Sequence, residues 1–272
     1  MRARLLFCFF SALLALPPSA AGRDRYVIWR DNTAGETRAS RLTGAALSAP
    51  VEIPGYDGDW NLVGFADFDR DGIPDLLWRN KTHRAVVVTY LNQTGDIAAL
   101  GTVDRPYNGD WKVLGVGDLD GDGSPDILWQ NKNTFDVRLW TMCDHVQNWT
   151  GTLPAVPDPL WQFVGLGDFN GDGRNDLLWR HKETAALALW LMDRGRFVRA
   201  IRLPNPPADW LPVGVTDLDD DGDADLIWQA PATRQLAVWQ MRQTEFARAW
   251  FIDTSRAEET ADDPSFRFAA VR

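Results

Sequence analysis

The sequence predicts an all-β fold made of a repeated unit of about 50 residues, and three observations carry this prediction. An acidic nine-residue pattern, D-x-[DN]-x-D-G-x-x-D, occurs four times. Short apolar segments that alternate with polar residues flank each copy, as is typical of β-strands. The copies are 51, 50 and 49 residues apart and begin at Asp67, Asp118, Asp168 and Asp217. Such a period indicates a solenoid, a propeller or an array of small sheets.

A single unit shows the expected strands. Residues 111–117 (WKVLGVG) predict a first strand, residues 127–130 (ILWQ) a second and residues 137–142 (VRLWTM) a third, with a weaker fourth near residues 149–153. The acidic segment lies between the first and second strands. Four short antiparallel strands in about 50 residues match the size of one β-propeller blade. We therefore predict an all-β β-propeller made of four-stranded blades.

The two ends of the chain complement each other. The segment YVIWR at residues 26–30 matches a second strand, so the first unit lacks a first strand and an acidic segment. Residues 266–271 match the missing first strand. We predict five blades in a ring closed by the C-terminal strand, which leaves no open sheet edge; an open or dimeric assembly is the alternative. The predicted units are residues 24–59 with 264–272, 60–110, 111–160, 161–209 and 210–263, in one domain over residues 22–272.

The N-terminus predicts export. Arg2 and Arg4 precede an apolar run of 12 residues, Leu5 to Leu16, which is too short to span a bilayer as a helix. Small residues up to Ala21 then suit a signal peptidase. We predict a cleavable signal peptide over residues 1–21 and a secreted or periplasmic protein without a transmembrane segment. A buried N-terminal helix is the alternative.

The acidic segments predict calcium sites. Positions 1, 3 and 5 supply side-chain oxygens, position 6 is a Gly that allows a sharp turn, position 7 offers its backbone carbonyl, and position 9 adds a carboxylate. Ca²⁺ takes six to eight oxygen ligands, and the amide oxygen of Asn170 can replace a carboxylate. We predict four Ca²⁺ ions, one in each segment. Their ligands are Asp67, Asp69, Asp71, Ile73, Asp75, Asp118, Asp120, Asp122, Ser124, Asp126, Asp168, Asn170, Asp172, Arg174, Asp176, Asp217, Asp219, Asp221, Asp223 and Asp225.

Position 12 distinguishes these segments from a helix-flanked EF-hand. An EF-hand needs a bidentate Glu at that position. Here the residue is a Trp in every copy: Trp78, Trp129, Trp179 and Trp228. The remaining alternative is a polar turn with chance acidic residues. Four copies in one register, each with Gly at position 6, favour metal binding.

On these residues, the unit resembles the FG-GAP repeat, also called VCBS, which is known from integrin α-subunit propellers and many exported bacterial proteins. The resemblance covers about residues 24–271 and rests on the four acidic segments, each followed by an apolar strand. It implies calcium in the hairpin between the first and second strands of a blade. Integrin-type propellers have seven blades, whereas this chain has room for about five. The roles of the family are diverse and include adhesion, protein interaction, sugar binding and service as accessory modules of enzymes.

Composition restricts the possible functions. The formal net charge is −10, and the acidic residues concentrate in the four segments, so no basic stripe for nucleic acid is expected. Cys8 falls in the predicted signal peptide, which leaves Cys143 without a disulfide partner. The three histidines, His83, His145 and His181, are too scattered for a typical triad or metal site. We predict that the protein is not an enzyme.

The predicted function is a non-catalytic binding or adhesion module whose ligand is a glycan or an extracellular protein. The alternative is a polysaccharide-acting enzyme or an accessory domain of one. The hairpins between second and third strands form the expected binding face, because loops on a rigid scaffold commonly carry recognition. The 14 Trp residues either pack between blades or stack on sugars. The residues after each second-strand Trp, such as Arg79 and Gln130, are either solvated or part of a polar ring on one face.

Overall fold

The computed structural model describes residues 25–30, 37–43, 46–47, 51–53, 56, 59–92, 96–104, 107–219, 221–233, 235–252 and 268–271, with side chains between Tyr56 and Phe251. The predicted signal peptide lies outside these ranges. Within these ranges the regular secondary structure consists of β-strands. Among the described residues, no helix has the length and apolar character needed to cross a membrane.

The first sheet contains strands from both ends of the chain. Its members are β1 (Arg25–Arg30), β2 (Thr37–Thr43), β3 (Ala46–Leu47), β4 (Val51–Ile53) and β21 (Phe268–Val271). They pair in the order β21-β1-β2-β3, and β4 also pairs with β2. The pairing of β1 with β21 is antiparallel and places Val27 opposite Val271.

The remaining strands form four antiparallel sheets of four strands, which we call blades 1 to 4. Blade 1 consists of β5 (Trp60–Ala66), β6 (Asp75–Asn80), β7 (Val86–Leu91) and β8 (Ile97–Val103). Blade 2 consists of β9 (Trp111–Gly117), β10 (Asp126–Asn131), β11 (Val137–Cys143) and β12 (Val146–Leu153). Blade 3 consists of β13 (Trp161–Gly167), β14 (Asp176–His181), β15 (Leu187–Asp193) and β16 (Arg196–Leu203). Blade 4 consists of β17 (Leu211–Thr216), β18 (Asp225–Gln229), β19 (Leu236–Arg242) and β20 (Glu245–Ile252).

The first strands of successive blades lie next to one another. Strand β5 contacts β9, β9 contacts β13, and β13 contacts β17. The blades therefore radiate from an inner row of first strands, which is the arrangement of a β-propeller. The predicted all-β propeller fold is confirmed.

The prediction of five four-stranded blades is wrong in its count. Four sheets have the four-stranded form, whereas the first sheet has five strands. Its β3 and β4 contain two and three residues, and both pair with β2. The sequence of the first unit has no acidic segment and no long alternating segment at this point, so it does not repeat the strand lengths of blades 1 to 4.

The second strand of each blade is the most buried. All six residues of β6 are buried, and Trp78, Trp129, Trp179 and Trp228 are at most 1% exposed. The core clusters mix residues of adjacent blades, as Trp78 and Trp129 do. Both faces of a second strand are therefore covered, which explains its continuous apolar sequence.

Glycines on the first strands let the blades approach closely. Each pair of first and second strands contains a register shift next to a glycine, for example between Phe163 and Gly165. A Cβ added at Gly165 would lie 2.8 Å from Cγ2 of Val215 on the next blade. The bulge and the glycine together bring adjacent inner strands into contact. No pattern in the sequence indicated this role of the glycines.

Arg79 ties blade 1 to blade 2. Its side chain is only 8% exposed. Its guanidinium donates hydrogen bonds to the carbonyl oxygens of Trp111, Tyr107 (3.1 Å) and Asn108 (2.9 Å), and its Cζ lies 5.0 Å from the centre of the Trp129 ring. Burial lowers the pKa of Arg79 to about 10. The expectation of a solvated residue is therefore wrong at this position.

Arg180 repeats the arrangement between blades 3 and 4. It is 5% exposed and donates to the carbonyl oxygens of Ala208 (3.1 Å) and Trp210 (3.3 Å). Gln130, at the equivalent position of blade 2, is also buried. In blades 1 and 3 the arginine after the second-strand Trp is thus a buried polar contact to the next blade, because it faces carbonyls near the start of the next first strand.

We expect Arg79→Lys to lower the free energy of unfolding by about 1–3 kcal/mol, because a lysine cannot reach several carbonyls with one planar group and leaves buried acceptors unpaired. Arg202→Lys, on the exposed side of β16, is the matched control and should change stability by less than about 0.5 kcal/mol. Urea denaturation measures both. Equal stabilities of the two variants would contradict the role of Arg79.

Candidate metal centres

The four acidic segments lie at one end of the blades. We call them loop 1 (residues 67–75), loop 2 (118–126), loop 3 (168–176) and loop 4 (217–225). Each connects the first strand of a blade to the second, and its ninth residue begins the second strand. Because the four blades have the same strand order, all four loops emerge on the same face of the propeller. This placement agrees with the hairpin position that the resemblance implied.

Each loop is wound around the carboxylate at position 1. In loop 1, Oδ1 of Asp67 accepts a hydrogen bond from the backbone N–H of Asp71 (3.0 Å), and Oδ2 accepts one from Gly72 (2.8 Å). The bond from the position-6 glycine recurs in loops 2, 3 and 4 at 2.9, 2.6 and 3.0 Å. Gly72 has φ of +88°, a conformation that favours glycine. The predicted sharp turn is therefore present.

Positions 3 and 5 use one oxygen to hold the loop. Oδ1 of Asp69 accepts from the N–H of Asp71 (3.2 Å), and Oδ1 of Asp71 accepts from the N–H of Ile73 (2.8 Å). In loop 1, each of these two carboxylates keeps a second oxygen that can bind a cation. Carboxylate oxygens lie within 4.8 Å of one another in three trios, namely Asp67 with Asp69 and Asp71, Asp118 with Asp120 and Asp122, and Asp217 with Asp219 and Asp225.

Loop 3 replaces the position-3 carboxylate by Asn170. Its Oδ1 accepts from the N–H of Asp172 (3.1 Å), as an aspartate does in loops 1 and 2, and its Nδ2 donates to Oδ2 of Asp172 (3.2 Å). Asp168 at position 1 accepts from Gly173 and Asp172. The fold of the loop is therefore retained with one negative charge fewer.

The residues at position 7, whose backbone carbonyls are the predicted ligands, hold the loop through their backbone N–H groups. The N–H groups of Ile73, Ser124, Arg174 and Asp223 donate to Oδ1 of the position-5 aspartate at 2.8, 2.6, 2.9 and 3.0 Å. Their side chains differ in size and charge, so the repeat constrains the backbone at this position and not the side chain.

The carboxylate at position 9 is the most buried of the predicted ligands. Asp75, Asp126, Asp176 and Asp225 have no exposed surface. In loop 2, Oδ2 of Asp126 accepts from the N–H of Leu119 (2.9 Å), and Oδ1 accepts from the N–H of Met142 on the third strand (3.1 Å). Burial raises the pKa of Asp126 to about 8 and that of the other three to about 7. These residues anchor the loop to the blade, a role that the sequence analysis did not assign.

The loops have the chemistry that a hard divalent cation requires. Every side-chain donor at positions 1, 3, 5 and 9 is an oxygen of Asp or Asn, and Ca²⁺ takes such oxygens in flexible geometry. Burial, together with the neighbouring aspartates, raises the pKa of Asp67, Asp69 and Asp120. A bound cation would offset the repulsion that this crowding creates. The residues therefore fit calcium.

Adjacent loops are joined through their backbones. The N–H of Asn175, at position 8 of loop 3, donates to the carbonyl of Asp118 in loop 2 (2.8 Å), and Ala224 donates in the same way to Asp168 in loop 3 (2.6 Å). Loops 1 and 2 have proline at position 8, which has no N–H. The change from proline in loops 1 and 2 to Asn175 and Ala224 in loops 3 and 4 is a sequence signal that could have revealed the connection.

The repeated tryptophans serve mainly as core. Tyr107 stacks on Trp111 with ring centres 4.4 Å apart and meets Trp129 edge-on at 5.4 Å. Among the described tryptophans, the exposed ones are Trp149 and Trp250, on the fourth strands β12 and β20 at the rim. The second-strand tryptophans are not accessible for stacking on a sugar.

Two of the histidines, His145 and His181, lie close to aspartates outside the four loops. Nε2 of His181 lies 3.3 Å from Oδ2 of Asp158. Nδ1 of His145 lies 3.0 Å from the hydroxyl of Tyr90, which also donates to Asp144. These contacts connect neighbouring segments and do not bring the histidines together.

The chain is similar to known proteins in sequence and in fold. A family described as FG-GAP-like repeat matches residues 67–129 and 168–228. No curated protein matches the sequence. A chain of the nidogen/laminin complex is 11% identical, with 91% of this chain and 97% of that chain covered and a TM-score of 0.44. A protein from Lactobacillus plantarum is 18% identical, with 90% and 70% covered and a TM-score of 0.44.

A larger structure also matches. A chain of the Photorhabdus luminescens Tc holotoxin pore is 16% identical and has a TM-score of 0.36. The match covers 81% of this chain but only 14% of the toxin chain.

We expect Asp126→Ala to lower the free energy of unfolding by about 2–5 kcal/mol, because the N–H groups of Leu119 and Met142 lose their acceptor inside the protein. The loss should persist in a chelator, since it arises from buried hydrogen bonds. Asp122→Ala, at a position-5 carboxylate that is exposed, is the comparison and should have a small effect in the chelator. Urea denaturation in EDTA separates the two, and a stable Asp126→Ala protein would contradict the anchoring role.

Proposed function

We propose that this chain, an FG-GAP-like repeat protein, is a calcium-stabilised, non-catalytic binding or adhesion module. Loops 1 to 4 would each hold one Ca²⁺ through the carboxylate and amide oxygens at positions 1, 3, 5 and 9 and the carbonyl at position 7. The observation that carries the proposal is the grouping of carboxylate oxygens within 4.8 Å in loops whose backbone is already wound around them.

A bound cation would stabilise the whole blade. A cation that binds the folded loop and not the unfolded chain stabilises the protein by RT ln(1 + [L]/Kd), about 2.7 kcal/mol per site at a hundredfold excess over Kd. Because the loops are attached through the buried position-9 aspartates to the third strands, stabilisation of a loop extends into its blade. Among the described residues no disulfide stabilises the blades in place of a cation, and Cys143 is a free cysteine.

The ligand would bind on the face opposite the loops. The hairpins between second and third strands emerge there, because the strands of a blade are antiparallel. In the first hairpin, Oδ1 of Asn80 accepts from the N–H groups of Thr82 and His83, which fixes the turn. Exposed lysines open three of these hairpins: Lys81, Lys132 and Lys182. Exposed lysines on a rigid scaffold suit contact with an anionic group of a glycan or of an extracellular protein.

A polysaccharide-acting enzyme is the second candidate function. Among the described residues, the groups of three or more acidic side chains lie in the loops, where metal binding accounts for them. We therefore favour binding over catalysis.

The chain ends support a closed ring. We infer that β21 completes the first sheet and closes the ring, because it pairs with β1 and contacts β17 of blade 4. We also infer export through the predicted signal peptide. An exported protein meets millimolar calcium in many extracellular settings, for which extracellular calcium modules are adapted.

We expect EDTA to lower the melting temperature sharply and to increase protease sensitivity, and calcium to restore both. Magnesium should restore them poorly, because it demands octahedral geometry and gives up its waters reluctantly. Scanning calorimetry with metal analysis of the dialysed protein provides the measurement, and four Ca²⁺ per chain is the expected stoichiometry. Overlapping melting curves with and without EDTA would contradict the calcium sites.

We expect a glycan array to detect anionic glycans, with binding that weakens as salt increases. The triple variant K81Q/K132Q/K182Q should lose this binding. The control variant R196Q/R199Q/R202Q removes the same charge from exposed positions of the rim strand β16 and should retain it. Loss in both variants would point to net charge alone, and turnover of a glycan would favour the enzyme.

A further inference from the structure

We propose that three arginines of the chain set the calcium affinity of loops 2, 3 and 4 by pairing with the position-5 aspartate of each loop. The proposal rests on the proposed calcium binding and concerns which site fills at which concentration. In each of these loops a guanidinium nitrogen lies at ion-pair distance from the carboxylate. The pairs are Arg70 with Asp122 (3.8 Å), Arg174 with Asp172 (3.7 Å) and Arg242 with Asp221 (3.6 Å).

The arginines reach equivalent aspartates from three different places. Arg70 is at position 4 of the preceding loop, Arg174 is at position 7 of its own loop, and Arg242 ends the third strand β19. If the arginines were a feature of the repeated unit, they would occupy the same position in each unit. Convergence on the same carboxylate therefore points to a role at that carboxylate.

Arg70 occupies a position that favours glycine. Its φ is +64°, and the equivalent residues of loops 2 and 3 are Gly121 and Gly171, with φ of +84° and +71°. A large side chain in this conformation is uncommon and indicates a constraint from elsewhere. The guanidinium of Arg70 also donates to Oγ of Ser124, at position 7 of loop 2. These contacts account for an arginine at this position.

Arg174 and Arg242 lie within similar networks. Arg174 also approaches Asp193 (3.9 Å), and its side chain packs against Gly121 of loop 2. Beside Arg242, the N–H of Gln243 donates to Oδ2 of Asp223 (2.8 Å), and Gln240 donates to Asp219. Loop 4 therefore has donors from its own blade on several of its carboxylates.

Loop 1 lacks such a pair among the described residues. Asp71, its position-5 aspartate, accepts the N–H of Ile73, and no described arginine or lysine lies at ion-pair distance from it. The four loops are otherwise alike at positions 1, 5, 6 and 9. Loop 1 is thus an internal reference for a site without a competing cation.

The physical effect follows from charge. Calcium must displace the guanidinium from the position-5 oxygen, or bind beside a positive charge that repels it. Exposed ion pairs are individually weak, so the effect on affinity is a graded one of about three- to tenfold per site. Loop 1 should fill at the lowest calcium concentration, and loops 2 to 4 should fill later.

The experiment follows each site separately. In protein labelled with ¹⁵N-glycine, the amides of Gly72, Gly123, Gly173 and Gly222 report on loops 1 to 4, because each donates to the position-1 aspartate of its loop. NMR titration with CaCl₂ at fixed ionic strength gives a midpoint for each. We expect Gly72 to respond first. In Arg242→Gln, the midpoint of Gly222 should fall about three- to tenfold while that of Gly72 is unchanged.

Two control variants keep the result interpretable. Arg202→Gln removes the same charge from the rim strand β16 and should leave all four midpoints unchanged, and Arg242→Lys keeps the charge and should leave Gly222 near its original midpoint. Overturning results would be an unchanged Gly222 midpoint in Arg242→Gln, or equal shifts of all four midpoints in Arg242→Gln and Arg202→Gln. If no glycine responds to calcium, both this inference and the proposed calcium function are wrong; if the glycines respond but Arg242→Gln matches the original protein, only the inference is wrong.

Discussion

A buried carboxylate organises each blade of this protein. The aspartate at position 9 of a loop accepts one hydrogen bond from the start of that loop and another from the third strand, as Asp126 does with Leu119 and Met142. The same pair of bonds occurs in blades 1, 3 and 4. A buried charge is costly unless hydrogen bonds compensate for it, so the loop, the second strand and the third strand must keep their relative positions. The geometry of the loops is therefore a consequence of how the blade folds.

The blades are held together by polar contacts on both faces as well as by their apolar cores. On the loop face, the N–H of Ala224 in loop 4 meets the carbonyl of Asp168 in loop 3. On the opposite face, Arg79 and Arg180 reach carbonyls of the following blade. Between the two faces, glycines on the inner strands let side chains such as Val215 approach the neighbouring backbone. A cation at one loop would thus act on a structure whose loops are not independent.

Sequence patterns predicted the local features well. The glycine at position 6 and the aspartate at position 1 are linked in every loop by the expected turn, because the hydrogen bond that closes the turn involves only neighbours in the chain. The second strands were also predictable, since burial on both faces produces a continuous apolar run. The strand lengths of the first sheet were not, because β3 and β4 are too short to leave an alternating pattern.

The sequence by itself determined the repeat, the all-β class and the oxygen-rich loops, because each depends on residues that are close along the chain or recur at a fixed period. Only the tertiary structure decided which polar residues are buried. Arg79 and Arg202 are both arginines on strands, yet one is enclosed by carbonyls of the next blade and the other is exposed. Likewise, Arg70, Arg174 and Arg242 share no sequence position, yet each lies beside a position-5 aspartate. Of these pairs, Arg70 with Asp122 joins two blades, whereas Arg174 and Arg242 pair within their own blades. A contact between blades joins residues that are distant in sequence, so the pattern within one unit does not identify the partner.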